Sequence, residues 1–392
     1  MPYVMMAERN IGMDLCRCCG SYIDATPILQ FDDMPKAAQA FPTRGELMGE
    51  AGVSLSIFQC PYCGLVQILG EPVSYYKDVI RAAAVSQEMR TFRLGYFREF
   101  VKKYGLNGKR VIEIGSGCGE FLELMNEAGV LGCGLEHLPS SVEASLRKGL
   151  SVFQGYIEGQ ETKLEEAPFD GFFIMNFLEH SPEPNLFLKG IWNNLADGAV
   201  GLIEVPNVDM ILKEAMFSEF ISDHLLYFTS DTLKLMLEKN GFDVLECSPV
   251  WHDYCLAAVV RKKKLFDMNR FYGTLNRVSS ELNQYIDECR RKKKAVAVWG
   301  AGHQALAVIA LSEIKDKIEF VVDSATFKQG RYTPGTHVEI VAPSRLNEGT
   351  IGAVIVMAAS YSDEVAQIVK REHPNMDIAI LRQHGLEYGY NA

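Results

Sequence analysis

Residues 110–136 read RVIEIGSGCGEFLELMNEAGVLGCGLE. A short apolar run ends in glycines at alternate positions, apolar residues at helical spacing follow, and a second short apolar run closes the segment. That order predicts strand, tight turn, helix and strand. FDGFFIMN then predicts a strand from Asp170 to near Asn176, residues 185–195 a helix, and VGLIEVPN another strand. SDTLKLMLEKNG predicts a helix with Ser230 as its N-cap and Gly241 just past its end, ahead of strands over 243–261. Farther on, KAVAVWGAGHQALAV repeats the strand–turn–helix device. Between the two blocks, Met268, Phe271, Leu275, Val278, Leu282, Tyr285 and Cys289 recur in steps of three and four. That stripe predicts an amphipathic connecting helix, over 265–289, packed on a neighbour. Strands alternating with helices predict an α/β chain with parallel sheets.

At 392 residues, two or three domains are expected. The net charge of −11 argues against a protein that mainly grips phosphate backbones. The basic runs Arg261–Lys264 and Arg290–Lys294 read as solvated faces. No apolar stretch is long enough to span a bilayer, and the acidic N-terminus with no long apolar core argues against a signal peptide, so a cytoplasmic setting is expected. Ten cysteines in such a setting suggest reduced thiols or metal ligands. Cys16 with Cys19 in LCRCCG, and Cys60 with Cys63 in QCPYCG, form two C-x-x-C pairs, each followed by Gly. Two intervening residues let a knuckle aim both sulfurs at one ion, and four thiolates would saturate a tetrahedral zinc with no position left for chemistry. A structural zinc is the expectation; buried or redox-active cysteines are the alternative. Cys18 is the spare.

The first turn, Gly115-x-Gly117-x-Gly119, follows Glu113 on the strand. This is GxGxG behind an acid, suited to an amino-acid-bearing nucleoside whose ammonium group Glu113 can hold. Glu136, ending the next strand, is placed to accept hydrogen bonds from vicinal ribose hydroxyls. These features resemble the class I S-adenosylmethionine methyltransferases, and the strand through Asn176 corresponds to that fold's fourth. The second turn, Gly300-x-Gly302-x-x-Ala305 followed by Asp323, also fits a dinucleotide fingerprint, which keeps NAD binding open as a rival. A turn that only packs helix on strand is the plain alternative.

Over nearly its whole length the chain resembles the S-adenosylmethionine-dependent sugar C-methyltransferases of nucleotide-deoxysugar biosynthesis. The carriers are the two cysteine pairs, DDMPKAAQAFP, FLEHSPEPN, DHLLYFTSDTL, and the block from WGAGHQALA through FVVDSATFKQGRYTPGTHVEIVAP. The resemblance implies a zinc domain over 1–80, a methyltransferase domain over 81–262, and a connecting helix with a C-terminal Rossmann-like substrate domain over 263–392. It implies transfer of a methyl group to carbon of a nucleotide-linked 4-keto sugar, through an enolate raised by a base. In ISDHLLYFT the base would be His224, with Tyr227 a neighbour. His180, with Glu179 beside it, is the second candidate, as base or enolate donor. Tyr76 and Arg81 would line the acceptor pocket, and Gly300, Gly302, His303, Asp323, Lys328 and Arg331 would hold the nucleotide end. The chain departs from the family at Ile221-Ser222-Asp223, where many members have Tyr-His-Glu, and where Arg81 and Ala82–Ala84 replace tyrosines. The departures leave the methyl donor untouched and open the acceptor to hydroxyls and amines. The other readings are an NAD-binding bifunctional enzyme and a zinc-bearing nucleic-acid module, the last disfavoured by the acidity. A monomer is expected.

Overall fold

The computed structural model describes residues 15–23, 26–78 and 86–389. Two compact units divide the chain, Met1–Lys264 and Leu265–Ala392. The first contains β1 (Leu29–Met34), β2 (Val53–Gln59), β3 (Val66–Ile68), α1 (Gln87–Tyr104), β4 (Arg110–Ile114), α2 (Glu120–Glu127), β5 (Leu131–Glu136), α3 (Pro139–Arg147), β6 (Ser151–Gln154), β7 (Phe169–Met175), α4 (Pro184–Asn193), β8 (Leu195–Pro206), α5 (Val208–Lys213), β9 (Leu226–Tyr227), α6 (Ser230–Lys239), β10 (Phe242–Val250) and β11 (Cys255–Lys262).

Its main sheet runs β10-β11-β8-β7-β4-β5-β6. The pairs from β8 to β6 are parallel, and β11 lies antiparallel to both β8 and β10. This is the class I methyltransferase sheet, a Rossmann-like order with the final hairpin inserted. The strands are nearly unbroken apolar runs because helices cover both faces. Phe172, Ile174 and Ile203 are fully buried in one core layer, Phe97, Phe173 and Leu202 in another. A buried ion pair that the sequence did not announce, Arg93 on α1 with Glu204 on β8, joins the helix to the sheet through two hydrogen bonds.

A smaller sheet, β1-β2-β3-β9, completes the unit. Its last strand comes from far along the chain: Val66 pairs with Tyr227 and Gln67 with Leu226. The N-terminal segment thus shares a sheet with the segment holding His224.

The second unit contains α7 (Asn269–Arg291), β12 (Ala295–Trp299), α8 (His303–Leu311), β13 (Val321–Val322), β14 (Arg331–Tyr332), β15 (Glu339–Val341), β16 (Ile351–Val356), α9 (Ser362–Glu372), β17 (Asp377–Arg382) and β18 (Gly385–Tyr388). The sheet order is β14-β15-β13-β12-β16-β17-β18, parallel through its middle with antiparallel edges. The crossover direction reverses between β12 and β16, so the second glycine turn opens at a topological switch point.

Three local expectations need correction. The N-cap of α6 is Thr229, not Ser230: its side chain accepts from the Thr232 N–H, and Thr232 answers back to the Thr229 N–H in a capping box. Of the connecting-helix stripe, Leu282, Tyr285 and Cys289 are buried, whereas Met268 and Phe271 are exposed. The period marked a helix face, but only its C-terminal half has the second unit's core to lie on. The run Arg261–Lys264 is not wholly solvated: Lys262 is buried, its Nζ donating to the Leu195 carbonyl at 2.7 Å and lying 3.8 Å from the Trp192 ring centre. No helix among the described residues is long and apolar enough to cross a membrane.

Candidate functional site

The first glycine turn joins β4 to α2. Gly115, Gly117 and Gly119 all have positive φ, at 75°, 54° and 82°, a conformation that a Cβ disfavours. A Cβ on Gly119 would also lie 2.4 Å from the Leu150 side chain. Glu113 is buried at the end of β4. Glu136, at the end of β5, is 1% exposed, and its carboxylate accepts from the Gly117 N–H at 2.7 Å and the Leu138 N–H at 2.8 Å. Burial raises its pKa above the ordinary value. The wall beside the turn holds Gly115, His137, Tyr156, Phe177 and Lys77, with Tyr76 edge-on to Tyr156 at 6.2 Å between ring centres. Lys77 sits over the Tyr156 ring at 4.8 Å. The sequence pattern did not mark Lys77, Tyr156 or His137, because each lies in an irregular segment with no period. Asn176 turns the chain off β7 at a positive φ of 50°, its N–H donating to the Glu204 carbonyl. Arg81, expected in the acceptor pocket, lies outside the described residues.

Phe177 leads from this wall to a polar cluster. A single 3₁₀ turn, Leu178–His180, follows it. The Leu225 N–H donates to the Glu179 carbonyl at 2.9 Å, and His180 Nδ1 bonds the Asp223 carbonyl at 2.8 Å. These two bonds stitch the turn to the loop before β9, and so bring His224 edge-on to His180, ring centres 4.8 Å apart. One carboxylate oxygen of Glu179 and one ring nitrogen each of His180 and His224 all lie within 4.8 Å of one another. Since a carbonyl only accepts, His180 carries its proton on Nδ1 and presents the Nε2 lone pair. Burial pushes the Glu179 carboxyl up to about 8, lowers His180, and pulls His224 down to about 3, so both rings are neutral at physiological pH. A neutral ring nitrogen can take a proton or a cation.

Tyr227 is placed as a brace. Its hydroxyl donates to the Ile221 carbonyl and accepts the Ile221 N–H, closing the loop over 221–227. Asp223 is a latch: its carboxylate accepts from Tyr75 Oη at 2.7 Å and the Ala38 N–H at 2.8 Å, and Ser222 Oγ donates to the Pro35 carbonyl. The DDMPKAAQAFP segment therefore docks on the loop that holds His224.

The four cysteines of the two pairs also converge. Cys16 and Cys63 sulfurs lie 3.5 Å apart, Cys19 and Cys60 3.6 Å. A zinc tetrahedron with bonds of ~2.3 Å has edges of about 3.8 Å, so the set fits that ion closely. The knuckles turn on Gly20 and Gly64, both at positive φ, and Gln67 Nε2 donates to Cys16 Sγ at 3.2 Å. Cys18 is buried, with its thiol raised to about 11 by burial, and takes no part. Its carbonyl accepts from Asn185 and Lys239, while Arg17 donates to the Pro182 carbonyl. The FLEHSPEPN motif thus seats the cysteine knuckle at one end and supplies Glu179 and His180 at the other.

In the second unit Gly300 has φ 120°, and a Cβ there would lie 2.5 Å from the Met357 carbonyl, so packing alone demands glycine. Asp323 is drawn into the turn: one carboxylate oxygen accepts the Ala301 N–H and Lys328 Nζ, each at 2.8 Å, and the other the Ala325 N–H at 2.9 Å. Burial opposes ionisation there, but Lys328 and the two N–H groups hold the carboxyl below its ordinary value. Gly302 caps α8 and His303 is its first residue, exposed, as is Arg331. Asp323 gives three acceptor sites to the turn, to Lys328 and to Ala325, which leaves it fewer for a bidentate ribose contact than Glu136 keeps with two.

A class I sheet with a glycine turn behind a buried acid, and the buried Glu136 bonded to that turn, are those of an S-adenosylmethionine-dependent methyltransferase. Comparison with known families agrees: residues 88–247 match a methyltransferase domain and residues 259–375 a C-methyltransferase C-terminal domain. The chain is similar to the C-methyltransferase NovU of Streptomyces niveus, 22% identical over 388 residues covering 90% of this chain and 91% of that one. It is also similar, over 154 residues at 30% identity, to a tRNA U34 carboxymethyltransferase of Syntrophotalea carbinolica, covering 36% of this chain and 47% of that protein. Among solved structures, an S-adenosylmethionine-dependent methyltransferase from Clostridium acetobutylicum aligns with 45% of this chain and 92% of its own, at 10% identity and a TM-score of 0.39.

Proposed function

We propose that the enzyme methylates a carbon atom of a nucleotide-linked keto sugar, next to the carbonyl, through an enolate. The observation that carries the reading is the cluster of buried Glu179 with half-buried His180 and His224, which Phe177 links to the wall beside the glycine turn. S-adenosylmethionine, when bound, supplies a methyl group on a positively charged sulfur. Glu136 would hold its ribose and Glu113 its ammonium group. A carbon nucleophile needs the α-proton removed, and a positioned base contributes ~10²–10⁴-fold. The neutral rings of His224 and His180 stand beside Glu179, where an acceptor's carbonyl and its α-proton can be received together. The C–H electron pair becomes the enolate double bond, the carbon attacks the methyl, and the C–S pair stays on sulfur.

The C-terminal unit takes the nucleotide of the acceptor at its sheet's switch point, with His303 exposed at the turn and Arg331 exposed on the edge strand β14. The bonded Asp323 supports this reading over NAD. Zn²⁺ on Cys16, Cys19, Cys60 and Cys63 is structural. The N-terminal segment then serves catalysis indirectly, by holding β9 and the loop before it.

Incubation with S-adenosylmethionine and a panel of nucleotide-linked keto sugars tests the reading. The product should gain one methyl on carbon, and solvent deuterium should enter the α-position when the donor is withheld. Transfer to oxygen or nitrogen only, or melting-point stabilisation by NAD and by no nucleoside diphosphate, would sink it.

A further inference from the structure

We propose that Glu179, His180 and His224 form a second metal site, which binds a catalytic divalent cation distinct from the four-cysteine zinc. Two imidazoles and one carboxylate are an oxygen- and nitrogen-rich set, suited to ions such as Mn²⁺, Fe²⁺ or Co²⁺ and leaving positions open for substrate oxygen. Thiolate sets select zinc instead, so the two sites differ in chemistry as well as place.

Three observations point to a ligand. The three donor atoms converge, all lying within 4.8 Å of one another. Glu179 is 1% exposed, and its Oε2 has no hydrogen-bond partner, although a buried carboxylate oxygen is costly to leave unpaired. His180 is held as metal-bound histidines are: its Nδ1–H donates to a backbone carbonyl, that of Asp223, which leaves the Nε2 lone pair for a ligand. No hydrogen bond to the His224 ring nitrogens occurs among the described residues. Donors on a cation with bonds of ~2.0–2.2 Å stand about 3 Å apart, so binding draws the three side chains inward by at most about an ångström.

This inference rests on the enolate reading and deepens it. A cation there would face the acceptor's carbonyl oxygen and neutralise the charge that forms on it. If bound, the cation would be held by Glu179, His180 and His224 and would stabilise the enolate oxygen. The α-proton would then pass to a hydroxide that the cation makes available from water, in place of a histidine, while the C–H pair becomes the enolate double bond.

The test is Mn²⁺ binding to the zinc-loaded full-length protein, followed by the loss of the free-ion electron paramagnetic resonance signal. Wild type should take up a single Mn²⁺. Binding should weaken by about ten- to a hundredfold in Glu179→Gln and in His224→Ala. Retained S-adenosylhomocysteine binding identifies the variants as folded, and His180→Gln gives a third reading if either is not. No uptake by wild type at millimolar Mn²⁺, or equal uptake by folded variants, overturns the site. Carbon methylation undiminished after the second cation is stripped, with zinc retained, overturns its catalytic role while the enolate reading stands. Mn²⁺ uptake without methylation of any keto sugar upholds the site and sinks the acceptor reading instead.

Discussion

In the proposed reading Glu136 performs two tasks with one carboxylate. It accepts the N–H groups of Gly117 and Leu138, which shapes the first turn, and its remaining lone pairs are free for ribose hydroxyls. Hydrogen bonds to a charged acceptor are worth about 1.5–3 kcal/mol each, so Glu136→Gln should weaken S-adenosylhomocysteine binding by about ten- to a hundredfold, read by calorimetry. The pH dependence follows from the same group. Burial raises its pKa, so protonation begins nearer neutrality than for an ordinary carboxylate, and the protonated form is the poorer acceptor. Affinity in wild type should fall as pH drops below neutral, and in Glu136→Gln it should stay flat over that window. A wild-type profile that is flat as well would remove the carboxylate from ribose binding. Asp223 is a second residue-scale case. It stands where the resembled family has Glu, yet both its oxygens are spent on Tyr75 and Ala38. Asp223→Asn, which leaves one of those bonds unmade, should lower kcat through the His180–His224 geometry with little change in donor affinity. An equal fall in donor affinity would mean the turn, and not the cluster, depends on the latch.

At the scale of elements, periodicity made the main sheet legible. The runs that became β4, β5, β7 and β8 alternate with helices, and the first three end at or beside Glu113, Glu136 and Asn176. The helix over 265–289 was legible as a helix, but not in how much of its face is buried, since a period says nothing of what lies opposite. The Glu179–His180–His224 cluster was legible in membership only; its meeting depends on the Leu225 bond to Glu179 and on β9 joining β3, pairings between residues far apart in sequence. The Arg93–Glu204 pair was not legible at all. Arg93 lies among the charged residues of an ordinary helix, and only the fold shows it to be 1% exposed with a bidentate partner. Removing one member of a buried pair leaves the other unpaired, so Arg93→Ala should destabilise the first unit by about 3–5 kcal/mol in urea unfolding. Arg93→Met combined with Glu204→Leu should recover most of that loss, whereas a loss under ~1 kcal/mol for the single variant would mean water reaches Glu204.

Across the whole molecule, the four-cysteine centre and the methyl-transfer centre are linked by structure without sharing chemistry. The cysteine knuckle is fastened to Pro182 and Asn185, just past His180, and the sheet that grows from it ends on β9, just past His224. Both histidines therefore sit on segments that the N-terminal sheet or its knuckle holds. Because binding energy at a structural zinc is folding energy, removing the ion should loosen both anchors together. The chain's two compact units give an internal control. In scanning calorimetry, the transition that S-adenosylhomocysteine raises belongs to the first unit, since Glu136 and the first turn lie there. Treatment with a strong chelator, or Cys16→Ser, should lower that transition and abolish methyl transfer, while the transition insensitive to S-adenosylhomocysteine keeps its temperature. Readdition of Zn²⁺ should restore both to the chelated wild type and neither to Cys16→Ser. If methyl transfer instead survives with the zinc removed and the first transition unmoved, the cysteines are not what holds His180 and His224 in place, and the hydrogen bonds between the 178–180 turn and the 223–225 loop must suffice alone.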